Sequence, residues 1–285
     1  MIPRIVLALL VALLGLPAPE PIAEEKSSAT PEINSILMES TFRIHGPTKD
    51  DAQKTSFGTA FLMGKPTPEA NKYYYVLITA DHVLESIDGD NATLTLREKH
   101  EDGSYTQKPW NIKLRTQGQP LYVKHKEADV AALYVDMPDN LNVPILPIAL
   151  LADDEVLKRF EVHPGDELRC LGFPLFVSAE AGFPILRSGI IASYPIVPTK
   201  LNKSILIDFN VFQGNSGGPV YFVDHDRIYG GSLHIGETEQ FVIGLVTSQL
   251  SAKLYNNQTL GLASVVPAPY ILETIELLPG MSPSK

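Results

Sequence analysis

The 285-residue sequence predicts an all-β fold of two successive six-stranded antiparallel barrels followed by a C-terminal helix. Three observations carry that expectation. Short runs rich in Val, Ile, Leu, Tyr and Phe recur between clusters of Gly, Pro, Asp and Asn, the spacing of strands in a barrel or sandwich. A change of character between Met137 and Gly165, marked by Pro138, Pro144, Pro147 and Pro164, divides the runs into two sets. The last periodic segment, residues 270–278, carries Ile271, Ile275 and Leu278 at helical spacing and is expected to dock on the second barrel.

In chain order, residues 1–23 read as an export signal: Arg4 supplies the positive start, residues 5–16 the apolar stretch, and the small residues Ala18 and Ala23 follow. The apolar stretch is short for a bilayer, so no stable membrane span is expected once the signal is cleaved; an uncleaved N-terminal anchor is the alternative. A polar, flexible segment and a short helix are expected over residues 24–40. The first barrel is assigned to 41–137, with strands at 41–44, 58–63, 73–79, 92–96, 111–115 and 130–135. The connector is 138–164. The second barrel and the helix occupy 165–285, with strands at 167–172, 186–193, 204–209, 219–223, 242–247 and 261–266.

The chain is 44% apolar and 20% charged, an ordinary globular composition with material for a sizeable core. Its net charge of −10 disfavours nucleic acid and anionic membrane surfaces as partners. The one basic cluster, Lys124 to Lys126 around His125, reads as a solvated strand end. Cys170 is the single cysteine and reads as a buried structural thiol; no internal disulfide can form, which suits a bacterial envelope protein better than an animal secreted one.

The strongest chemical signal is the run Gln213, Gly214, Asn215, Ser216, Gly217, Gly218, Pro219. A serine hydroxyl attacks a carbonyl only if a base takes its proton and N–H groups receive the developing negative charge. Flanking glycines permit the tight turn that aims backbone N–H groups inward. An inert Gly/Asn/Ser/Pro turn is the bland alternative.

This GNSGGP run resembles the nucleophile loop of trypsin-like serine peptidases, most closely the bacterial high-temperature-requirement branch. Two further runs match in the family's order: YYYVLITADHVLE resembles the segment delivering the catalytic His, and EADVAALYV the one delivering the Asp. SFGTAFLM, LRCLGFP, RSGIIAS and VIGLVTS are similar to barrel strands of that family. The resemblance implies a catalytic triad of His82, Asp129 and Ser216, an oxyanion hole around Gly214, Asn215 and Ser216, polypeptide substrates, and no metal or organic cofactor. It further implies a specificity pocket lined by Asn210, Thr247, Ser248, Gln249 and Gly261. Asn210 stands where the trypsin subgroup has an Asp, so basic side chains are not the expected preference, and small or medium apolar ones are.

Departures from the pattern are equally specific. Asn215 replaces the Asp of the digestive zymogen switch, so activation by propeptide cleavage is not expected. The chain after Ser216 is too short to add a PDZ domain to the remaining strands. Asp81 stands where the family has a small residue, and on an extended segment its side chain should point away from that of His82. Asp136 competes for the orienting role but closes its strand beside Met137 and Pro138. Residues 223–240 form a longer hairpin than the branch usually carries. His45, His100, His125, His163, His225 and His234 lack a comparable setting. An inactive, protease-like binding or scaffolding protein is the competing function; an esterase is weaker because the α/β setting of a nucleophile elbow is missing.

Overall fold

Where apolar and small residues alternate, the chain pairs into sheets. The computed structural model describes residues 32–280 apart from 50, 52, 139, 142 and 253–257, so the expected export signal and most of the flexible segment lie outside the described residues. The first half contributes β1 (Thr41–Pro47), β2 (Thr55–Pro66), β3 (Tyr73–Thr79), β4 (Asn91–Lys99), β5 (Tyr105–Lys113), β6 (Arg115–Thr116), β7 (Gln119–Pro120), β8 (Val123–Lys124), β9 (Ala131–Tyr134) and β10 (Leu146–Pro147). Their main sheet runs β5-β4-β1-β2-β3-β9-β8, with β10 added parallel to β2.

The pairing corrects the expectation of a closed six-stranded barrel in this half: the sheet has eight strands, and its path ends at β5 and β8. The cause lies between those two ends. Gln117 and Gly118 have φ of 52° and 78°, the backbone of a two-residue hairpin turn, so the chain pairs with itself as β6 and β7. Only Val123 and Lys124 remain to extend the sheet as β8.

The second half contributes β11 (Glu167–Gly172), β12 (Ile185–Ile191), β13 (Ile205–Asp208), β14 (Pro219–His225), β15 (Ile228–Tyr229), β16 (Ser232–Leu233), β17 (Thr238–Ala252) and β18 (Gln258–Pro267). Here the barrel does close, in the order β11-β12-β13-β18-β17-β14, while β15 and β16 form a separate hairpin. Leu168, Cys170, Ile205, Ile207, Val220, Ile243, Val246 and Val265 fill its interior. Burial pushes the Cys170 thiol up to about 12, so it stays protonated and inert. Arg227 anchors the long hairpin beyond β14 by donating to Asp166 at 2.7 Å and Asp224 at 2.8 Å.

Among the described residues four α-helices complete the fold: α1 (Ile33–Ser40), α2 (Asp81–Ser86), α3 (Asp154–Arg159) and α4 (Ala268–Glu276). In α3 the Asp153 side chain accepts the Val156 N–H, and acids open the helix while Lys158 and Arg159 close it. As expected, α4 packs against the second barrel, on β17 and β18, and it also packs against β8 and β9 of the first half. Its buried Tyr270, Ile271 and Ile275 join the core of the first half, beside Ala131 and Leu133 of β9, and Lys65 of β2 donates to the Ile275 carbonyl. That core continues into Leu171, Tyr221, Leu245 and Val266 of the second barrel, so α4 seals a hydrophobic seam shared by both halves. Among the described residues no helix is long and apolar enough to cross a membrane.

Candidate active site

The cleft is built where α2, the turn before β9, and the turn before β14 converge. β3 ends at Thr79, and the chain turns at Ala80 directly into α2, so Asp81 and His82 lie on a helical turn and not on an extended segment as expected. Successive helical residues are separated by about 100° and not by the half-turn of a strand, so Asp81 stays on the same side of the cleft as the imidazole. His82 Nδ1 lies 2.6 Å from Asp129 Oδ2, and the His82 backbone N–H donates to Asp129 Oδ1 at 3.0 Å. This two-point grip fixes the ring and places its proton on Nδ1, leaving Nε2 as the acceptor.

The charges in this cluster follow from that geometry. The hydrogen bond to Asp129 holds the His82 imidazole above its usual value, against the opposing effect of burial. Burial by itself would raise the Asp129 carboxyl, but hydrogen bonds from the His82 ring and backbone keep it below the ordinary range. Burial pushes Asp81 upward, against the salt bridge from Lys124. That bridge, at 3.0 Å, and a second contact from Lys124 to Glu85 are made by a lysine that stays exposed at the end of β8, in keeping with the expected solvated strand end.

The Ser216 turn is held from both sides. Gly214, Gly217 and Gly218 are needed because a Cβ would stand 2.2 Å from Phe173 O, 2.1 Å from Thr59 O and 2.1 Å from Leu171 O, respectively. Gly214 and Gly217 also have φ of 99° and 85°. Thr59 of β2 donates its hydroxyl to Gly214 O at 2.6 Å and its N–H to Ser216 O at 2.9 Å, while the Gly217 N–H donates to Val246 O at 2.7 Å. The Asn215 N–H is engaged by Phe212 O at 3.0 Å, whereas the Gly214 and Ser216 N–H groups donate to no acceptor among the described residues. Of the three expected oxyanion positions, these two therefore present free donors. Asn215 is buried, with no hydrogen-bond partner for its side-chain oxygen or nitrogen.

The Ser216 hydroxyl donates to the Thr247 carbonyl at 2.9 Å. A β-bulge between Val246 and Ser248 on β17 accompanies that contact. Gly58 bridges the two sides of the cleft: a Cβ there would lie 2.7 Å from Val83 of α2 and 3.2 Å from Ser216 O. The expected pocket residues also meet, since Gln249 Nε2 lies 3.4 Å from Asn210 Oδ1 and a Cβ on Gly261 would stand 3.3 Å from that same oxygen. Ser248 is exposed beside them. Asp136 is elsewhere, its carbonyl accepting the Trp110 indole N–H. Among the described residues no cluster of three or more His, Cys, Asp or Glu side chains could hold a metal ion.

Thr59 was not legible as a site residue, because its run reads only as a strand. The available signal was a polar residue between Gly58 and Ala60 in an otherwise apolar stretch. A family model described as trypsin-like peptidase domain matches residues 58–230. Solved structures similar to this chain include two proteases. One is a thermostable serine protease, AL20, from an extremophilic microorganism, 12% identical, covering 83% of this chain and 95% of its own, with a TM-score of 0.47. The other is the protease Anisep from Arthrobacter nicotinovorans, 14% identical, covering 84% and 94%, with a TM-score of 0.48. No curated protein matches the chain.

Proposed function

This chain belongs to the trypsin-like peptidase domain family, and from that premise we propose that it is a serine endopeptidase with Ser216 as nucleophile, His82 as general base and Asp129 as the residue orienting that base. The observation that carries the proposal is the double grip of Asp129 on His82, in one cleft with a serine turn whose Gly214 and Ser216 N–H groups are free. In the reaction, Ser216 Oγ rotates from the Thr247 carbonyl toward His82 Nε2 and attacks the scissile carbonyl carbon as the imidazole takes its proton. The oxyanion is received by the N–H groups of Gly214 and Ser216, each lowering the barrier by about 3 kcal/mol. The tetrahedral adduct collapses as His82 returns the proton to the departing amine, and water then hydrolyses the acyl-enzyme by the same relay.

A polypeptide substrate suits the free edge of β17. Beyond Val246, whose backbone bonds to Gly217 and Gly218, that strand pairs with β18 alone, so residues 247–250 can accept an extended peptide by strand addition. At the pocket, Asn210, Gln249 and Gly261 offer amides and no carboxylate, which supports a preference other than basic. The GNSGGP, RSGIIAS and VIGLVTS runs support placement near the high-temperature-requirement branch. The export-like residues 1–23 support a role in envelope protein processing or quality control, in the periplasm or outside the cell.

Fluorophosphonate labelling of the wild type and Ser216→Ala tests the assignment: labelling that depends on Ser216 is expected, and its absence under all conditions sinks the proposal. One observation favours a protease-like binding protein instead, namely that Ser216 bonds to Thr247 and not to His82. The same labelling separates the two readings.

A further inference from the structure

We propose that Asp81 is a positioning residue for the base: held by Lys124 against the first turn of α2, its carboxylate supplements Asp129 in stabilising the His82 imidazolium that forms during turnover. The inference rests on the peptidase reading and adds a second carboxylate to it.

Three observations carry it. The Asp81 side chain is only 15% exposed, and its Oδ1 is shielded with no hydrogen-bond partner, while Oδ2 accepts from Lys124 Nζ at 3.0 Å. An aspartate that merely solvated the surface would keep both oxygens in water. Lys124 in turn lies opposite Ala131 in the β8–β9 ladder, two residues beyond Asp129, and also grips Glu85 one turn along α2. The strand that presents Asp129 and the helix that presents His82 are thereby tied together by one side chain.

The pair is also asymmetric. Lys124 is 51% exposed, so water screens its charge, whereas the Asp81 charge is shielded and acts at short range. The field reaching the imidazole is therefore negative. In accord with this, the hydrogen bond from His82 to Asp129 is the main cause of the raised His82 value, burial opposes it, and the charges of Asp129, Asp81 and Glu85 add to it.

The other charges around this cluster are accounted for. Glu127 is paired with Lys203 at 2.8 Å, and His125 with Glu273 at 3.1 Å. Lys49 acts on Glu85, and Lys126 lines the same 430 Å³ cavity as Asp81 and His82.

The test titrates His82 by NMR in ¹⁵N-histidine-labelled protein carrying Ser216→Ala, with the signal assigned by its loss in His82→Gln. Asp81→Asn should lower the His82 titration by about 0.5–1 pH unit, and Lys124→Met should raise it by a smaller amount because water screens the lysine charge. Lys124→Arg, which keeps the charge, should leave it in place. With Ser216 restored, the acidic limb of kcat/KM should move in the same directions. The proposal is overturned if Asp81→Asn leaves the titration unmoved, if both neutralising variants shift it the same way, or if Lys124→Arg behaves like Lys124→Met. The titration needs no turnover and the labelling experiment needs no Asp81, so failure of one leaves the other readable.

Discussion

Thr59→Val isolates the link between the two halves that holds the nucleophile turn. Thr59 is completely buried, and its hydroxyl does two things at once: it donates to Gly214 O at 2.6 Å and accepts the Phe173 N–H at 3.2 Å. Valine keeps the shape of the side chain and the backbone bonds to Ser216 and Thr79, and deletes only those two interactions. Each buried group left without a partner costs about 1–3 kcal/mol, so stability should fall by about 2–4 kcal/mol after allowing for the added apolar burial. The Gly214 peptide is one of the two proposed oxyanion donors. If about half of the loss appears as displacement of that turn, the rate of Ser216 acylation falls roughly 5- to 30-fold. Because the donor acts on charge present only in the transition state, kcat and kcat/KM should fall together with KM little changed. Urea unfolding and fluorophosphonate labelling kinetics measure the two effects. Stability and labelling both within twofold of wild type would refute the assignment of Thr59 to this role.

Other perturbations have equally definite outcomes. Gly217→Ala forces a Cβ to 2.1 Å from Thr59 O at a φ of 85°, so labelling should drop more than about 100-fold; unchanged labelling would mean the turn is not held as described. The raised His82 value means that the neutral base predominates only above a pH higher than the usual histidine range of about 6.5. The acidic limb of kcat/KM should lie above that figure, and Asp129→Asn should move it downward while reducing kcat on the order of 10⁴-fold; a limb unmoved by this variant contradicts the pairing. Arg97, buried and lowered to about 10 by desolvation, donates to the carbonyls of Met38, Glu39, Thr41 and Gly182. Arg97→Met should lower the unfolding free energy by about 2–4 kcal/mol, seen as a reduced urea midpoint. Arg227→Met strands Asp166 and Asp224 and should cost about 3–5 kcal/mol, with proteolysis of the 223–240 hairpin as a second readout.

Much of the fold was legible locally. The strands at 73–79 and 167–172 were read with the bounds they have: aromatic and β-branched residues fill the first, the second alternates Leu168 and Cys170 with polar residues, and turn residues bound both. The strand expected at 111–115 instead ends at Lys113, since β5 pairs along the whole of β4 from Tyr105 onward and Arg115 opens the next hairpin. β8, β10, β15 and β16 are two residues each, too short to leave any periodicity. The helical turn at Asp81 and His82 escaped for the same reason.

By itself the sequence determined that a serine turn with three obligatory glycines, a histidine after a buried strand and an aspartate before another were present in that order, because each depends on its immediate neighbours. Only the tertiary structure decided what joins them. Thr59 meets Gly214 across 155 residues, His82 meets Asp129 across 47, and Asp81 meets Lys124 across 43. The bulge at Thr247, the partnerless side chain of Asn215, the seam sealed by α4 and the closure of one half but not the other depend on which distant strands come to lie side by side. Local composition records the preference of a segment for strand or turn; hydrogen bonds and burial between remote segments are settled only when the chain packs, and leave no repeating signal in the residues that make them.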